Sequence, residues 1–437
     1  MGVTTAGRTA AWVGVLLATA ASAPAQGMFR GGPAHTGVYA AKAPRELHGV
    51  KWRFATGGAV LSSPVVERGT LYFGSGDGNV YAVDAMTGVQ RWMARTRGAV
   101  DSTPAVDQDL VFVLSFDGTL YALEAATGKH RWTFATEGER RFEARGLHGL
   151  APKNQTFFDA WDMYLSSPVA AQGAVYFGSG DGNVYAVEET SGALRWKFTT
   201  GGVVHASPAY DAGTIYVGSW DSYLYALDAA SGREKWRFKT GEDPLMHNQV
   251  GFQSSPAVAR GIVYVGCRDA HLYAVDAATG KQRWSLPTQG SWVVASPAVA
   301  PGKVIFGTSD SKLLFALDPE TGKPVYQQPD NSYLFSSPAV AGDTIVVGKM
   351  NGALVALDLE SGKRLWEYQT DASKQNAGWL LKADRSHNDA MTFRAGDYGT
   401  GAGVERLFSL GAVASSPLVA GGVVYFGSTD GFLYALY

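Results

Sequence analysis

The segment YFGSGDGNVYAV occupies Tyr72–Val83, and the same twelve letters return at Tyr176–Val187. A segment that recurs in this way indicates a chain built from repeated units. Further copies become visible when the chain is aligned on a Ser-Pro or Thr-Pro pair followed by apolar residues. Eight prolines each begin one unit: Pro64, Pro104, Pro168, Pro208, Pro256, Pro297, Pro338 and Pro417. The basic spacing is about 40 residues, with extra residues in three places.

Each unit predicts four short strands, which we label a to d. In the first unit the segments SSPVV, TLYFGS, NVYAVD and QRWMART are rich in β-branched and aromatic residues. Glycine, aspartate and asparagine separate them, and glycine supplies the positive φ that tight hairpins need. A period of about 40 residues with four strands is typical of a propeller blade. We therefore predict an all-β, eight-bladed β-propeller of four-stranded antiparallel blades.

A large aromatic residue recurs in strand d, four residues after the glycine of the c–d turn. The residues are Trp92, Trp132, Trp196, Trp236, Trp284 and Trp366, with Tyr326 in the sixth unit. Such a ring can pack against the neighbouring blade. The eighth unit ends at Tyr437 after strand c, whereas Val50–Gly58 has the pattern of a strand d without a blade, with Trp52 in the aromatic position. We predict that this N-terminal strand completes the last blade and closes the ring, leaving no unpaired edge.

The segments YAVDAMTGVQRW, YALEAATGKHRW and YAVDAATGKQRW resemble the tryptophan-docking repeats of PQQ-like propellers. This family contains quinoprotein alcohol dehydrogenases and BamB-type assembly factors of the outer membrane. MFRGGPAHTGV at Met28–Val38 is similar to the N-terminal arm that often precedes such propellers. The resemblance covers nearly all of the chain after the leader and implies the propeller fold. It does not select an activity, because propellers support unrelated functions.

The beginning of the chain has the pattern of a secretory signal. Arg8 precedes an apolar stretch from about Ala10 to Ala20, and small-residue cleavage sites end at Ala25. We predict a signal peptide at 1–25, an N-terminal arm at 26–49 and the propeller at 50–437. The protein is then expected in the periplasm or outside the cell. The apolar stretch is shorter than a bilayer span and no other run of roughly 18 apolar residues occurs, so we predict no transmembrane segment.

Cysteine content and charge exclude several classes of protein. No cysteine follows the cleavage region, so a lipoprotein is not expected, and the lone Cys267 has no partner for an intrachain disulfide. A buried thiol is favoured for Cys267 over a reactive one. The net charge of -2 argues against a nucleic-acid partner.

Three insertions interrupt the repeat, at 139–164, 242–252 and 371–411, and all fall in crossovers from strand d to the next strand a. Because neighbouring strands alternate in direction, these crossovers lie on the same face as the b–c turns. Side chains that depart from the repeat map to this face: Trp161, Trp220, Trp292, Trp379, His148, His205, His247, His271, His387 and Arg268. We predict that the face binds a protein or glycan partner. In an alternative interpretation, Trp161 and Trp379 belong to a small core that plugs the disc, whereas the short turns of Trp220 and Trp292 are not expected to bury their rings.

The b–c turns place acidic residues at equivalent positions of seven units: Asp77, Asp117, Asp181, Asp221, Asp269, Asp310 and Asp430, with Asn351 in the seventh unit. We expect each aspartate to accept hydrogen bonds within its own turn rather than to bind a cation. The GDGN sequence lacks the twelve-residue ligand pattern of a calcium loop. The histidines lack metal-ligand spacing, so no metal site is predicted.

These observations leave three hypotheses. The first is a non-catalytic binding or scaffold propeller, in the manner of BamB. In the second, the family resemblance implies a PQQ-dependent dehydrogenase with a planar cofactor near the axis, Ca²⁺ and an aspartate base, but no residues here match those roles. Cys267 alone also cannot form the disulfide of adjacent cysteines that many such enzymes use. The third is a sugar-binding or sugar-degrading propeller, and no pair of carboxylates supports hydrolysis. We favour the first hypothesis and assign no catalytic residue and no cofactor.

Overall fold

The computed structural model describes residues 1–2, 26–147, 152–241, 251–394 and 401–437. The predicted eight-bladed β-propeller is confirmed: eight consecutive antiparallel sheets follow the eight repeat units. Seven of them have four strands, and the seventh blade gains a fifth strand from the N-terminal arm. Strand b is buried at every position in most blades, because it lies between two strands of its own sheet and between two neighbouring blades.

The arm contains a 3₁₀ turn at Phe29–Gly31 and β1 (Val38–Tyr39), and β2 (Val50–Ala55) follows it. The first blade consists of β3 (Val65–Glu67), β4 (Thr70–Gly74), β5 (Asn79–Asp84) and β6 (Gln90–Arg95), and the second of β7 (Ala105–Asp107), β8 (Leu110–Ser115), β9 (Thr119–Glu124) and β10 (His130–Ala135). The third blade consists of β13 (Val169–Ala171), β14 (Ala174–Gly178), β15 (Asn183–Glu188) and β16 (Leu194–Thr199). The fourth blade consists of β17 (Ala209–Asp211), β18 (Thr214–Gly218), β19 (Tyr223–Asp228) and β20 (Glu234–Lys239). A hairpin of β11 (Glu143–Arg145) and β12 (Thr156–Phe158) lies between the second and third blades.

The fifth blade consists of β21 (Ala257–Ala259), β22 (Ile262–Cys267), β23 (His271–Asp276) and β24 (Gln282–Pro287), and the sixth of β25 (Ala298–Ala300), β26 (Lys303–Gly307), β27 (Leu313–Leu317) and β28 (Pro324–Pro329). The seventh blade consists of β29 (Ala339–Ala341), β30 (Thr344–Gly348), β31 (Ala353–Asp358) and β32 (Arg364–Gln369). The eighth blade contains β33 (Leu418–Ala420), β34 (Val423–Gly427) and β35 (Phe432–Leu436). Between the seventh and eighth blades lie three helices, α1 (Asp371–Leu380), α2 (Asp389–Thr392) and α3 (Ala402–Phe408).

The N-terminal strand closes the ring as predicted. β2 pairs antiparallel with β35, with Val50 opposite Leu436 and Phe54 opposite Leu433. The last blade therefore takes its fourth strand from the beginning of the propeller. This closure pairs the edge of β35, which would otherwise be exposed.

The predicted docking of the strand-d aromatics is also confirmed. In six blades the indole N–H donates to a carbonyl oxygen of the next blade's c–d turn, and in the sixth blade Tyr326 does so through its hydroxyl. The pairs, at 2.8–3.2 Å, are Trp52 with Ala85, Trp92 with Ala125, Trp132 with Glu189, Trp196 with Ala229, Trp236 with Ala277, Trp284 with Pro319 and Tyr326 with Leu359. Seven of the eight junctions between neighbouring blades are thus held by a buried or half-buried ring and one hydrogen bond.

Trp366 of the seventh blade has a different partner. The eighth blade has no c–d turn, because its strands c and d come from opposite ends of the chain. The Trp366 indole N–H donates instead to the carbonyl oxygen of Pro44, at 2.8 Å. The N-terminal arm therefore replaces the missing turn as the docking partner.

The same arm follows the innermost strands around the axis. Backbone N–H groups of strand a in six blades donate to arm carbonyls: Val66 to Gln26, Val106 to Gly27, Tyr210 to Pro33, Val258 to Ala34, Val299 to Thr36 and Val340 to Gly37. All these contacts lie near the a–b turns, at the end of the ring opposite the insertions. The arm satisfies backbone donors that would otherwise face the channel.

A ring of hydroxyls explains why serine or threonine precedes every unit's proline. A backbone N–H of one unit donates to the hydroxyl of the next, from Ser63 to Thr103, Thr103 to Ser167, Ser167 to Ser207, Ser207 to Ser255, Ser255 to Ser296, Ser296 to Ser337 and Ser416 to Ser63. Proline keeps the preceding residue extended. The Ser-Pro signature therefore builds the inner wall of the propeller.

Gly128 allows a test of the docking geometry. Its φ is +72°, and a Cβ placed there would lie 2.6 Å from the Trp92 ring. Gly213 has a similar φ of +77° with nothing within 4 Å of such a Cβ. We expect Gly213→Ala to lower the free energy of unfolding by about 1–2 kcal/mol through backbone strain. Gly128→Ala should lower it by a further 1–3 kcal/mol or so because of the clash. If denaturant unfolding showed the same loss of unfolding free energy in Gly128→Ala and Gly213→Ala, the docking role of the Gly128 turn would be contradicted.

Candidate binding face

Two insertions pack together at one end of the ring, which we call the insertion face. Segment 139–164 carries β11 and β12, and segment 371–411 carries the three helices. The ring of Trp161 lies 6.0 Å from that of Phe393, centroid to centroid. Both segments share one apolar cluster with Phe335 and Ala414 of the inner wall. Most of the third insertion, 242–252, lies outside the described residues.

The predicted tryptophans divide into buried and exposed ones. Trp161, Trp220 and Trp292 are only 4%, 2% and 6% exposed. The expectation that the short turns of Trp220 and Trp292 leave these rings uncovered is wrong, because neighbouring segments cover them. Trp379 on α1 is 42% exposed. The plug interpretation therefore describes Trp161 but not Trp379.

Arg268, on the b–c turn of the fifth blade, lies inside a stack of planar side chains. Its guanidinium carbon is 3.7 Å from the ring centroid of Trp292 and 4.7 Å from that of Trp220. The other side of Trp220 stacks on Phe142, at 4.2 Å and an interplanar angle of 14°. Stacking of a guanidinium on desolvated indole rings is stabilising, by about 2 kcal/mol or more. The stack joins the insertion hairpin to the fourth, fifth and sixth blades.

The charge of Arg268 is neutralised by an acidic residue of the insertion. Arg268 Nη1 donates to Asp159 Oδ2 at 2.6 Å, and both side chains are fully buried. The other oxygen of Asp159 accepts the backbone N–H of Trp161 at 2.9 Å. A buried ion pair needs such additional hydrogen bonds to offset the loss of water.

His205 forms a second buried connection between the ring and the insertion. Its Nδ1–H donates to Asp162 Oδ1 at 2.7 Å and its Nε2–H to Glu139 Oε1 at 2.9 Å, with all three side chains fully buried. Burial alone would lower the pKa of His205, but the two carboxylates, Asp162 first, raise this pKa to about 10. The imidazole is therefore protonated at neutral pH, and both of its nitrogens act as donors.

His205 also belongs to a ring of side chains around a cavity on the axis. The cavity is lined by the third residue before each unit's proline: Leu61, Asp101, Leu165, His205, Gln253, Val294, Phe335 and Ala414. Phe29 of the arm and Tyr164 of the insertion also line it. The Tyr164 hydroxyl donates across the ring to the Ala414 carbonyl oxygen at 3.0 Å. Segments from both faces thus limit access to the channel.

Two acceptors in this cavity have no hydrogen-bond partner within the described parts of the chain, namely Asp101 Oδ1 and Gln253 Oε1. Burial raises the pKa of Asp101 to about 7, and the positive charge of Arg141 opposes that rise. Buried acceptors facing a polar cavity are positions where water binds.

The other predicted residues lie apart from this network. The His387 ring is buried, stacks on Tyr333 at 4.7 Å, and its Nε2 lies 2.8 Å from Ser332 Oγ. Burial lowers the pKa of His387 to about 3, which leaves its imidazole neutral. His271 is partly exposed beside Asp269. His148 and His247 lie outside the described residues.

Cys267 is buried, as favoured from the sequence, and burial raises the pKa of its thiol. A thiol that stays protonated is a poor nucleophile.

Six turn aspartates have the structural role expected from the sequence. The carboxylates of Asp77, Asp117, Asp181, Asp221, Asp269 and Asp430 each accept the hydroxyl of the tyrosine four residues later, at 2.5–2.7 Å. Five of the six also accept a backbone N–H from within their own turn. Within the described ranges, no group of three His, Cys, Asp or Glu side chains could hold a metal ion.

Sequence reasoning missed the carboxylates that complete the two networks, Asp159, Asp162 and Glu139. These carboxylates could have been found from two positions of the repeat at which the type of residue differs from unit to unit. The residue before the turn aspartate or asparagine is Gly76, Phe116, Gly180, Trp220, Arg268, Ser309, Met350 or Thr429, and the third residue before proline varies likewise. A cation at such inward positions requires a buried carboxylate partner.

Comparison with known proteins identifies relatives of this fold. The family model described as "Outer membrane protein assembly factor BamB" matches residues 48–160, 159–291 and 246–436. The outer membrane protein assembly factor BamB of Shewanella oneidensis is 34% identical over 80 residues, which are 18% of this chain and 20% of that protein. The chain thus matches about a fifth of the length of this curated relative.

Two solved structures are similar in fold. BamB from Moraxella catarrhalis has a TM-score of 0.63 and 17% identity, covering 89% of this chain and 97% of the other. Quinohemoprotein alcohol dehydrogenase from Comamonas testosteroni has a TM-score of 0.69 and 16% identity, covering 94% and 80%. At such identities the likeness concerns the fold alone.

Proposed function

Because the chain belongs to the PQQ-like propeller family described as outer membrane protein assembly factor BamB, we propose that it is an exported, non-catalytic propeller that binds a protein partner in the cell envelope. The contact surface is the insertion face, and a glycan is the alternative ligand. The proposed location is the periplasm, reached by means of the signal peptide at 1–25, most of which lies outside the described residues. Among the helices that the structure describes, none has the length and hydropathy of a membrane span.

The observation that carries this proposal is a pair of exposed aromatic side chains on a rigid support. Phe158 and Trp379, one on each large insertion, are 50% and 42% exposed. Arg141 lies over the Phe158 ring, 6.0 Å from its centroid. Aromatic and arginine side chains are enriched among the residues that dominate protein interfaces. The buried pairs of Arg268 and His205 hold the supporting hairpin in place, which reduces the entropy lost on binding.

The alternative, a PQQ-dependent dehydrogenase, requires room for a planar cofactor near the axis and ligands for a divalent ion. Beneath the insertions Trp161, Met163 and Phe335 are buried in one apolar cluster, which supplies no oxygen ligand for such an ion. Within the described ranges no three His, Cys, Asp or Glu side chains are grouped as ligands for a metal ion. The residues present do not fit PQQ with Ca²⁺, and we derive no reaction through it.

A pull-down from envelope extract tests the proposed surface. We expect the double variant Phe158→Ala, Trp379→Ala to recover at least about tenfold less partner, since each lost aromatic anchor is worth about 1 kcal/mol or more. Met86→Ala is the matched control, because Met86 is 65% exposed on a c–d turn at the other face.

Equal losses in both variants, or none in either, would remove the basis for the insertion face. A dye-reduction assay with added PQQ, Ca²⁺ and alcohols or aldoses tests the alternative. Saturable turnover there would overturn the non-catalytic role.

A further inference from the structure

The axial cavity has a second layer of lining residues, the hydroxyl ring of the inner wall. Its members are Ser63, Thr103, Ser167, Ser207, Ser255, Ser296, Ser337 and Ser416. Seven of these hydroxyl oxygens accept one backbone N–H each, at 2.8–3.2 Å. A hydroxyl oxygen has two lone pairs, so each of the seven keeps one for a further ligand. The cavity wall therefore offers oxygen ligands from several blades.

Two further oxygens of the cavity residues lack a partner. Asp101 Oδ1 and Gln253 Oε1 accept no hydrogen bond from any residue that the structure describes, although the two residues are only 9% and 5% exposed. The Gln253 side chain is held in place, because its Nε2 donates to the carbonyl oxygen of Trp161. Leaving a buried acceptor without a donor or a cation is unfavourable. Both oxygens therefore point to a ligand inside the cavity.

The size of the cavity limits what this ligand can be. Its volume is about 40 Å³, and a water molecule needs roughly 10–15 Å³ on the same measure. Phe29 of the arm and Tyr164 of the insertion restrict the space from the two faces. The cavity is thus too small for an organic ligand, whereas a metal ion with one or two waters fits.

The charges around the cavity favour a cation over water alone. Asp101 forms no ion pair within the described ranges, and the exposed Arg141 influences its pKa without a hydrogen bond to it. His205 supplies one positive charge to the two carboxylates of Asp162 and Glu139, so one of their negative charges is left over. Buried negative charge without compensation is strongly unfavourable. A cation in the cavity would compensate it, and water would not.

We propose that the axial cavity binds one monovalent metal cation, held by the Asp101 carboxylate, the Gln253 amide oxygen and hydroxyl oxygens of the ring, directly or through a water. Calcium sites commonly use several carboxylates, whereas a single carboxylate lines this cavity. A proton competes for the same carboxylate, because burial raises the pKa of Asp101 to about 7. The inference does not depend on the insertion face binding a protein.

Crystals of the full chain soaked in rubidium chloride test the site directly. We expect an anomalous peak for Rb⁺ on the axis, at bonding distance from the Asp101 carboxylate. Crystals of Asp101→Asn should lose most of this peak, since the substitution removes the charge and keeps the size of the side chain. Ordered water without an ion in the unsubstituted protein, or a peak of full height in Asp101→Asn, would overturn the proposal.

Melting temperatures in potassium, sodium and choline chloride at equal ionic strength give a second readout. Choline is too large for the cavity. We expect K⁺ or Na⁺ to raise the melting temperature by about 1–2 °C over choline at pH 8. The increment should be smaller at pH 6, where Asp101 is mostly protonated.

Asp101→Asn should lose the increment, whereas Asp107→Asn, on the a–b turn of the same blade, should keep it. The increment is compared within each variant, so a change in basal stability does not affect the result. The proposal is contradicted by an increment that Asp101→Asn retains, by equal melting temperatures in all three salts, or by stabilisation that Ca²⁺ alone produces.

Discussion

Replacing Arg268 by Met lowers the free energy of unfolding by roughly 3–5 kcal/mol, the typical loss when a buried ion pair is left with one charge. The substitution removes the ion pair between Arg268 and the fully buried Asp159. It also removes the planar group between Trp220 and Trp292. Denaturant unfolding followed by tryptophan fluorescence measures the change.

Arg131→Met is the matched control, because its ion pair with Glu124 is exposed, with 58% and 32% of the two side chains accessible. Its effect should stay below about 1 kcal/mol. Adding Asp159→Asn to Arg268→Met should recover part of the stability, since the buried side chain at position 159 is then neutral. A loss of the same size in Arg131→Met, or no recovery in the double variant, would contradict the network.

Stability should also fall as the pH rises from about 6.5 to about 10, through protons held by His205. The pKa of this histidine is about 10 in the folded protein, against an ordinary value of about 6.5 in the unfolded chain. The folded state therefore binds more protons across this interval, and the stabilisation is complete below it. Urea unfolding midpoints measured from about pH 7 to pH 9 should decrease steadily.

His205→Gln should flatten that decrease, while His130→Gln, at an exposed position of strand d, should leave it intact. A midpoint that rises with pH in the unsubstituted protein would show that His205 is not held as an imidazolium. The same series reports whether the hairpin loosens first, since Phe142 stacks on Trp220 and its release changes the indole fluorescence.

The ring architecture was predictable because the repeated residues have local roles that recur in most blades. Trp92 docks on the next turn, and Asp77 accepts the Tyr81 hydroxyl. Because these residues recur at a regular spacing, the number of strands and the closure of the ring could be predicted from the spacing. The N-terminal strand could be assigned because it carries Trp52 at the docking position.

The candidate site was less predictable because its contacts join residues without repeated copies. Arg268 and Asp159 are 109 positions apart, and His205 and Glu139 are 66 apart. The burial of Trp220 was missed for the same reason: it was judged from the length of its own turn, whereas Phe142 and Arg268 cover the ring. Asp310 was grouped with its equivalents, although Phe315 at the position of Tyr81 has no hydroxyl to donate to its carboxylate.

The pairing of β2 with β35 has a consequence for synthesis. β2 leaves the ribosome before any blade exists, and its partner β35 follows only after seven complete blades. The nascent chain therefore carries an unpaired β2 until β35 has been translated, and an unpaired strand is prone to wrong strand pairing. Once β2 and β35 are paired, neither strand can detach without disrupting the sheet that holds the other.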